Sequence, residues 1–172
     1  MLDRDALRSY LDELADVLAA RQIRAEMFVV GGAAMALAYN TRRATRDIDA
    51  VFEPKGAVYQ AAAEVAERHP DALDSDWLND AVKGLLPGRD PHASVVFEHE
   101  GLRVLVASPG YLLAMKVAAA RVERDVDDIV ALIELCDFTS VEEALNHVES
   151  VYPHAKLEPR SQFLLEEIFA QR

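Results

Sequence analysis

The chain has 172 residues, with 18 Lys and Arg against 30 Asp and Glu, a formal net charge of −12 at pH 7 with its five His neutral, and one cysteine. That length buries a core without covalent staples, and 51% hydrophobic beside 28% charged residues is a globular composition, most simply a single domain. Cys136 has no intrachain partner, which excludes a disulfide framework and favours a reducing, cytoplasmic setting. So acidic a chain lacks the cations for a general grip on nucleic-acid backbone, and its apolar stretches are too short or too rich in Gly and Ala to span a bilayer. No DNA and no membrane partner is expected, and the start MLDRDAL carries no signal-peptide pattern.

In chain order, Leu7, Leu11, Leu14 and Leu18 define one apolar helix face over Asp3–Ala20, with Asp3 or Asp5 as a cap. Ala25–Val30 reads as a buried strand that stops at Gly31-Gly32, and Ala33–Tyr39 is helix-prone. A loop rich in arginine leads into a second strand, Asp47–Glu53, closed by Pro54. Lys55–Arg68 is amphipathic and helical, and Asp76–Asp80 reads as a capped short helix. Leu86–Pro91 has turn chemistry, and Ser94–Glu98 and Leu102–Ala107 form a hairpin about His99-Glu100-Gly101. Helices then follow over Tyr111–Arg121, Val126–Leu135, Val141–Val148 and Pro159–Gln171. The expected class is α+β: a small mixed sheet in residues 1–108 and a helical part in 109–172 packed on it.

Chemistry concentrates in Asp47-Ile48-Asp49. On a strand the two carboxylates share a face, roughly 6–7 Å apart, while Ile48, Ala50 and Phe52 take the core face. Val51 follows the acids on their own face, so that face is partly apolar and the two charges call for a cation between them. Mg²⁺, which takes one or two carboxylates plus substrate phosphates, suits that pair; solvated acids balanced by Arg43 and Arg46 are the plainer alternative. Strand, Gly31-Gly32, helix is a geometry that lets backbone approach a phosphate, although such a pair is also a common tight turn. A phosphate cradle beside a metal-binding acid pair describes a nucleoside triphosphate site.

Gly31-Gly32 followed by Thr45-Arg46-Asp47-Ile48-Asp49-Ala50-Val51 resembles the Gly-Gly/Ser … Asp-x-Asp signature of polymerase-β-type nucleotidyltransferases. Lys116, Arg121 and Arg124-Asp125-x-x-Asp128 are similar to the Lys … Arg … Arg-Asp-x-x-Asp element of the AbiEii/MenT branch, in which many members are toxins of toxin–antitoxin or phage-defence pairs. The resemblance spans about Phe28 to Leu135. It implies a polymerase-β-like fold that uses Mg²⁺ or Mn²⁺ and an NTP, an acceptor at the tRNA 3′ end, and a cognate antitoxin protein as partner. Asp47 and Asp49 would be metal ligands, and Gly31 and Gly32 would cradle the β- and γ-phosphates. Lys116 would contact the nucleotide phosphates, and Asp125 or Asp128 would organise the site. Arg46 and Arg121 fit nucleotide binding, and Arg42 and Arg43 fit the acceptor.

The sequence departs from the polymerase-β pattern at Leu102–Ala107, which carries no third carboxylate; Glu98 and Glu100 are the nearest substitutes. Two alternatives follow, namely a minimal nucleotidyltransferase that AMPylates a protein and an inactive nucleotidyltransferase-fold binding module. Several residues also have plainer readings. Asp125 fits the N-cap of the next helix, Asp127 would share a face with Lys116 on an unbroken helix, and Trp77 is a core anchor. The dispersed His residues lack zinc-site spacing.

Overall fold

The computed structural model describes residues 1–39, 43–119, 121–153 and 157–172; Arg42 lies outside the described residues. In order, the elements are α1 (Arg4–Ala20), β1 (Ala25–Val29), α2 (Gly31–Ala34) running into a π-helical turn over Met35–Tyr39, and β2 (Ile48–Glu53). Then come α3 (Lys55–Arg68), β3 (Leu78–Asn79), a 3-10 turn over Ala81–Leu85, β4 (Ser94–Glu98) and β5 (Leu102–Val106). The chain closes with α4 (Pro109–Ala119), α5 (Val122–Leu135), α6 (Val141–Val151) and α7 (Pro159–Ala170). They divide into two compact units, Met1–Gly84 with Pro91–Ala107, and Leu85–Asp90 with Ser108–Arg172.

The first unit is α+β. Its five-stranded mixed sheet has the order β3-β2-β1-β5-β4, with β1 antiparallel to β2 and parallel to β5. Period-2 alternation sorts the strands into two faces. Met27 and Val29, Ile48 and Ala50, and Val104 and Val106 are buried on the face that packs on the helices. The other face carries Phe28, Asp49, Val51 and Leu105, all half-buried. Helix α1 contributes Leu7, Leu11, Leu14 and Leu18, every one inaccessible to solvent, and Asp3 caps it by accepting from the Ala6 amide at 2.9 Å. A Cβ at Gly101 would clash with the Ala15 carbonyl oxygen of α1, so the hairpin turn needs a glycine there.

Asp76–Asp80 is not a helix. Leu78 and Asn79 instead add a short parallel strand to the free edge of β2, pairing with Ile48 and Asp49. The Ile48 amide donates to the Trp77 carbonyl at 2.6 Å, and the buried Trp77 indole donates to Ala62 O at 3.0 Å. An edge that offers backbone hydrogen bonds and a deep indole socket overrides the local capping signal. Beyond β3, Asp80 accepts from the Tyr59 hydroxyl at 2.6 Å and pairs with Lys55 at 2.5 Å.

In the second unit, residues 85–90 are tied to α4 and α6. The Tyr111 hydroxyl donates to Gly88 O at 2.7 Å and the Tyr152 hydroxyl to Leu85 O at 3.0 Å, and burial raises the pKa of both phenols. Asp90 accepts from the Ser108 amide at 2.6 Å ahead of α4. Ser140 and Glu143 cap the start of α6 reciprocally: Glu143 accepts from the Thr139 amide at 2.7 Å, and Ser140 accepts from the Glu143 amide at 3.2 Å.

The hydrogen bond from Lys55, with a second from Tyr59, holds the Asp80 carboxyl below its ordinary range. A carboxylate depressed in the folded state stabilises it above the unfolded pKa, and the contribution fades as pH falls through the folded pKa. Asp80→Asn should therefore lower stability near neutral pH and leave the acid limb of the stability curve shallower, read by urea titrations across pH 2.5–7.

Candidate active site

The acid-bearing end of the sheet is built by β1 and β2. The Val30 amide donates to Asp49 O at 3.0 Å, and Ala107 N to Val29 O at 3.0 Å, so β1, the start of β2 and the end of β5 meet at the same edge. Here the chain turns into α2 through Gly31 at φ +65°, a left-handed conformation that glycine adopts without steric cost. A Cβ at Gly31 would lie 3.3 Å from Asp49 Oδ2, and one at Gly32 would lie 3.0 Å from Thr45 Oγ1. A side chain at either glycine would thus crowd a different neighbour on the incoming segment. No side chain caps the amides at the start of α2, and the Tyr39 hydroxyl closes the π turn by donating to Ala107 O at 2.8 Å.

Asp47 does not share the strand with Asp49. It sits in a bend just ahead of β2, half-buried, because Thr45 forms an antiparallel bridge with Leu2 and turns the chain there. Leu2 N donates to Thr45 O at 2.6 Å and Thr45 N to Leu2 O at 2.9 Å, and the buried Thr45 hydroxyl donates to Asp47 O at 3.2 Å. The rigid alternation expected for the acid pair holds only from Ile48 onward. A threonine hydroxyl bonded to backbone two residues on is a common local turn device, and here it shapes the bend that carries Asp47.

The other strand paired with β1, β5, supplies no acid. Phe28 aligns with Val51 on one side and Leu105 on the other, so Leu105 occupies the β5 position in that row. Glu98 does not substitute, since it pairs with Arg24 at 2.5 Å and with Arg103 at 3.5 Å, at the end of β5 opposite Ala107. Glu100 lies in the hairpin turn at that same far end. Among the described residues no group of three or more His, Cys, Asp or Glu is placed to hold a metal. Asp47 and Asp49 are hard carboxylate donors at this end of the sheet, the donor type that Mg²⁺ and Mn²⁺ take together with phosphate oxygens and water.

In the second unit, Lys116 lies on a helix whose Leu112, Leu113, Ala114 and Val117 are buried. Its ammonium meets Asp125 Oδ1 at 2.6 Å and Asp128 Oδ2 at 2.9 Å, with side-chain exposures of 9%, 8% and 2%. Asp125 is not the N-cap: α5 starts at Val122 with Arg121 in that position, which places Asp125 and Asp128 one turn apart on one face. Lys116 and Asp127 lie on separate helices, α4 and α5, and Asp127 is exposed instead of sharing a face with Lys116. A buried ammonium shared by two buried carboxylates is costly to build and costlier to break. Arg46 in the first unit and Arg121 in the second are exposed, and Arg43 is half-buried.

This five-stranded mixed sheet, flanked by helices and ending in Gly-Gly beside an acidic strand, is consistent with a nucleotidyltransferase-like fold. The chain belongs to the family described as “Nucleotidyltransferase of unknown function (DUF6036)”, which matches residues 6–166. No curated protein and no solved structure matches it. Among the described residues no helix is long and apolar enough to cross a membrane.

Gly31→Ala forces a side chain into a left-handed position against the Asp49 carboxylate, a cost of about 1–3 kcal/mol. Mn²⁺ affinity measured by electron paramagnetic resonance should fall with it. Lys116→Met strands two buried carboxylates and should cost about 3–5 kcal/mol in urea unfolding; a loss under 1 kcal/mol would refute the buried cluster.

Proposed function

We propose that this chain is a Mg²⁺-dependent nucleotidyltransferase of AbiEii/MenT type that moves an NMP from an NTP to an acceptor hydroxyl. The acceptor is the 3′ end of a tRNA, and the protein acts in the cytoplasm as the toxin of a toxin–antitoxin or phage-defence pair. The observation that carries the transferase reading is the Asp49 carboxylate close over the left-handed Gly31 at the end of the sheet, where a Cβ would lie 3.3 Å from Asp49 Oδ2. The tRNA acceptor and the antitoxin rest on the resemblance of the Asp-x-Asp and Lys … Arg-Asp-x-x-Asp elements.

In this reading Asp47 and Asp49 hold the divalent ion. Held there, such an ion would supply charge neutralisation for the triphosphate and Lewis-acid polarisation at the α-phosphate. The acceptor oxygen forms a bond to that phosphorus as the bond to the bridging oxygen breaks, and pyrophosphate leaves. Backbone amides at Gly31 and Gly32 face the β- and γ-phosphates, and Arg46 and Arg121 add nucleotide contacts. Arg42 and Arg43 take the acceptor. Asp125 and Asp128 hold the Lys116 ammonium, whose third N–H donor is the one for a phosphate oxygen. Leu105 in the row of Phe28 and Val51 favours a second reading, a binding module that holds NTP without turning it over, because no strand carboxylate is there to take the acceptor proton.

Each α-³²P-labelled NTP, supplied with Mg²⁺ to total RNA and lysate protein, tests the two. Label on a tRNA-sized band that is lost in a folded Asp49→Ala variant is the expected result. Label on protein would make the chain an AMPylating enzyme, and NTP binding without any labelled product would establish the binding module. Transfer retained by Asp49→Ala would sink the metal assignment.

A further inference from the structure

We infer that Asn79 is a nucleotide-binding residue of this site, its side-chain amide donating to a phosphate oxygen of the triphosphate; the inference rests on the NTP reading above. Asn79 is the register partner of Asp49 in the parallel β2–β3 pair, just as Leu78 is the partner of Ile48. Leu78 and Ile48 are both buried, so Asn79 and Asp49 share the opposite face, the one that carries the acid. Neighbouring strands lie about 4.8 Å apart, which puts the amide within reach of any phosphate that a metal on Asp49 would bind.

The orientation of the amide is settled by its own turn. Asn79 Oδ1 accepts from the Ala81 amide at 3.2 Å, so the nitrogen is the atom left to face outward. Among the described residues nothing accepts from that nitrogen, and Asn79 is half-buried. Asparagine is a poor strand residue, yet this one is clamped on both sides. Trp77, fully buried, locks the residue two before it through Ala62 O, and Asp80 is locked after it by Tyr59 and Lys55. A two-residue strand held by two anchors presents one polar side chain beside the catalytic acid. That is the preorganisation a ligand contact needs, and core packing has no use for it. An amide also suits the position by charge, since a cation there would compete with the metal for Asp49 and an anion would repel the triphosphate.

The test uses the full chain with Mn²⁺ and a non-hydrolysable ATP, GTP, CTP or UTP analogue, followed by calorimetry, and with Mn²⁺ alone followed by electron paramagnetic resonance. Asn79→Ala should weaken the preferred analogue by about tenfold or more, as the loss of a hydrogen bond to a charged group does, with Mn²⁺ affinity unchanged. Asn79→Asp, nearly isosteric, should weaken the analogue further, through repulsion. Unchanged analogue affinity in a folded Asn79→Ala variant overturns the assignment to Asn79 and leaves the NTP site standing. Loss of Mn²⁺ binding along with the analogue overturns it too, since the residue would then be shaping Asp49. A wild-type chain that binds none of the four analogues overturns the NTP reading itself, and this inference with it.

Discussion

The first unit is organised around the close approach of the Asp49 carboxylate to the backbone at Gly31. Antiparallel pairing of β1 with β2 delivers the acid to that edge, and a left-handed glycine turns the chain out of its way. The central strand is therefore structural and chemical at once. Its buried side chains Met27 and Val29 hold the core, and the residues just past its end shape the space beside the acid. The two roles sit on one rigid element, which is how a site on a sheet keeps sub-ångström precision that a free loop does not.

The second unit uses electrostatics differently. Lys116, Asp125 and Asp128 are buried among apolar residues of α4 and α5, where ionic groups are expensive and where replacement by hydrophobic side chains often stabilises a protein. The sequence keeps them regardless. Their burial separates them from surface pairs such as Arg24 with Glu98, which cost little to lose.

Local signals in the sequence carried most of the fold. Lys55–Arg68 was bounded correctly because Pro54 stops the preceding strand and the apolar spacing is helical, and the Ser94–Val106 hairpin because its turn is short and tight. The alternation Ile48, Ala50, Phe52 told the core face of β2 from the acid face. What failed was nonlocal. β3 exists because β2 had a free edge and Trp77 a socket under Ala62, and neither is written in residues 76–80. Asp47 leaves the strand because Leu2, at the far end of the unit's chain, pairs with Thr45. The partners of Lys116 depend on α4 and α5 being separate helices, with Arg121 at the N-cap of α5.

The Leu2–Thr45 bridge has a practical reach. Leu2 is buried while Met1 is exposed, so whatever is joined ahead of Met1 emerges beside the bend that holds Asp47. The amino end is thus mechanically wired to the acidic corner of the sheet. A fluorophore attached there would act as a built-in gauge of that corner, and a bulky affinity tag in the same place would load it.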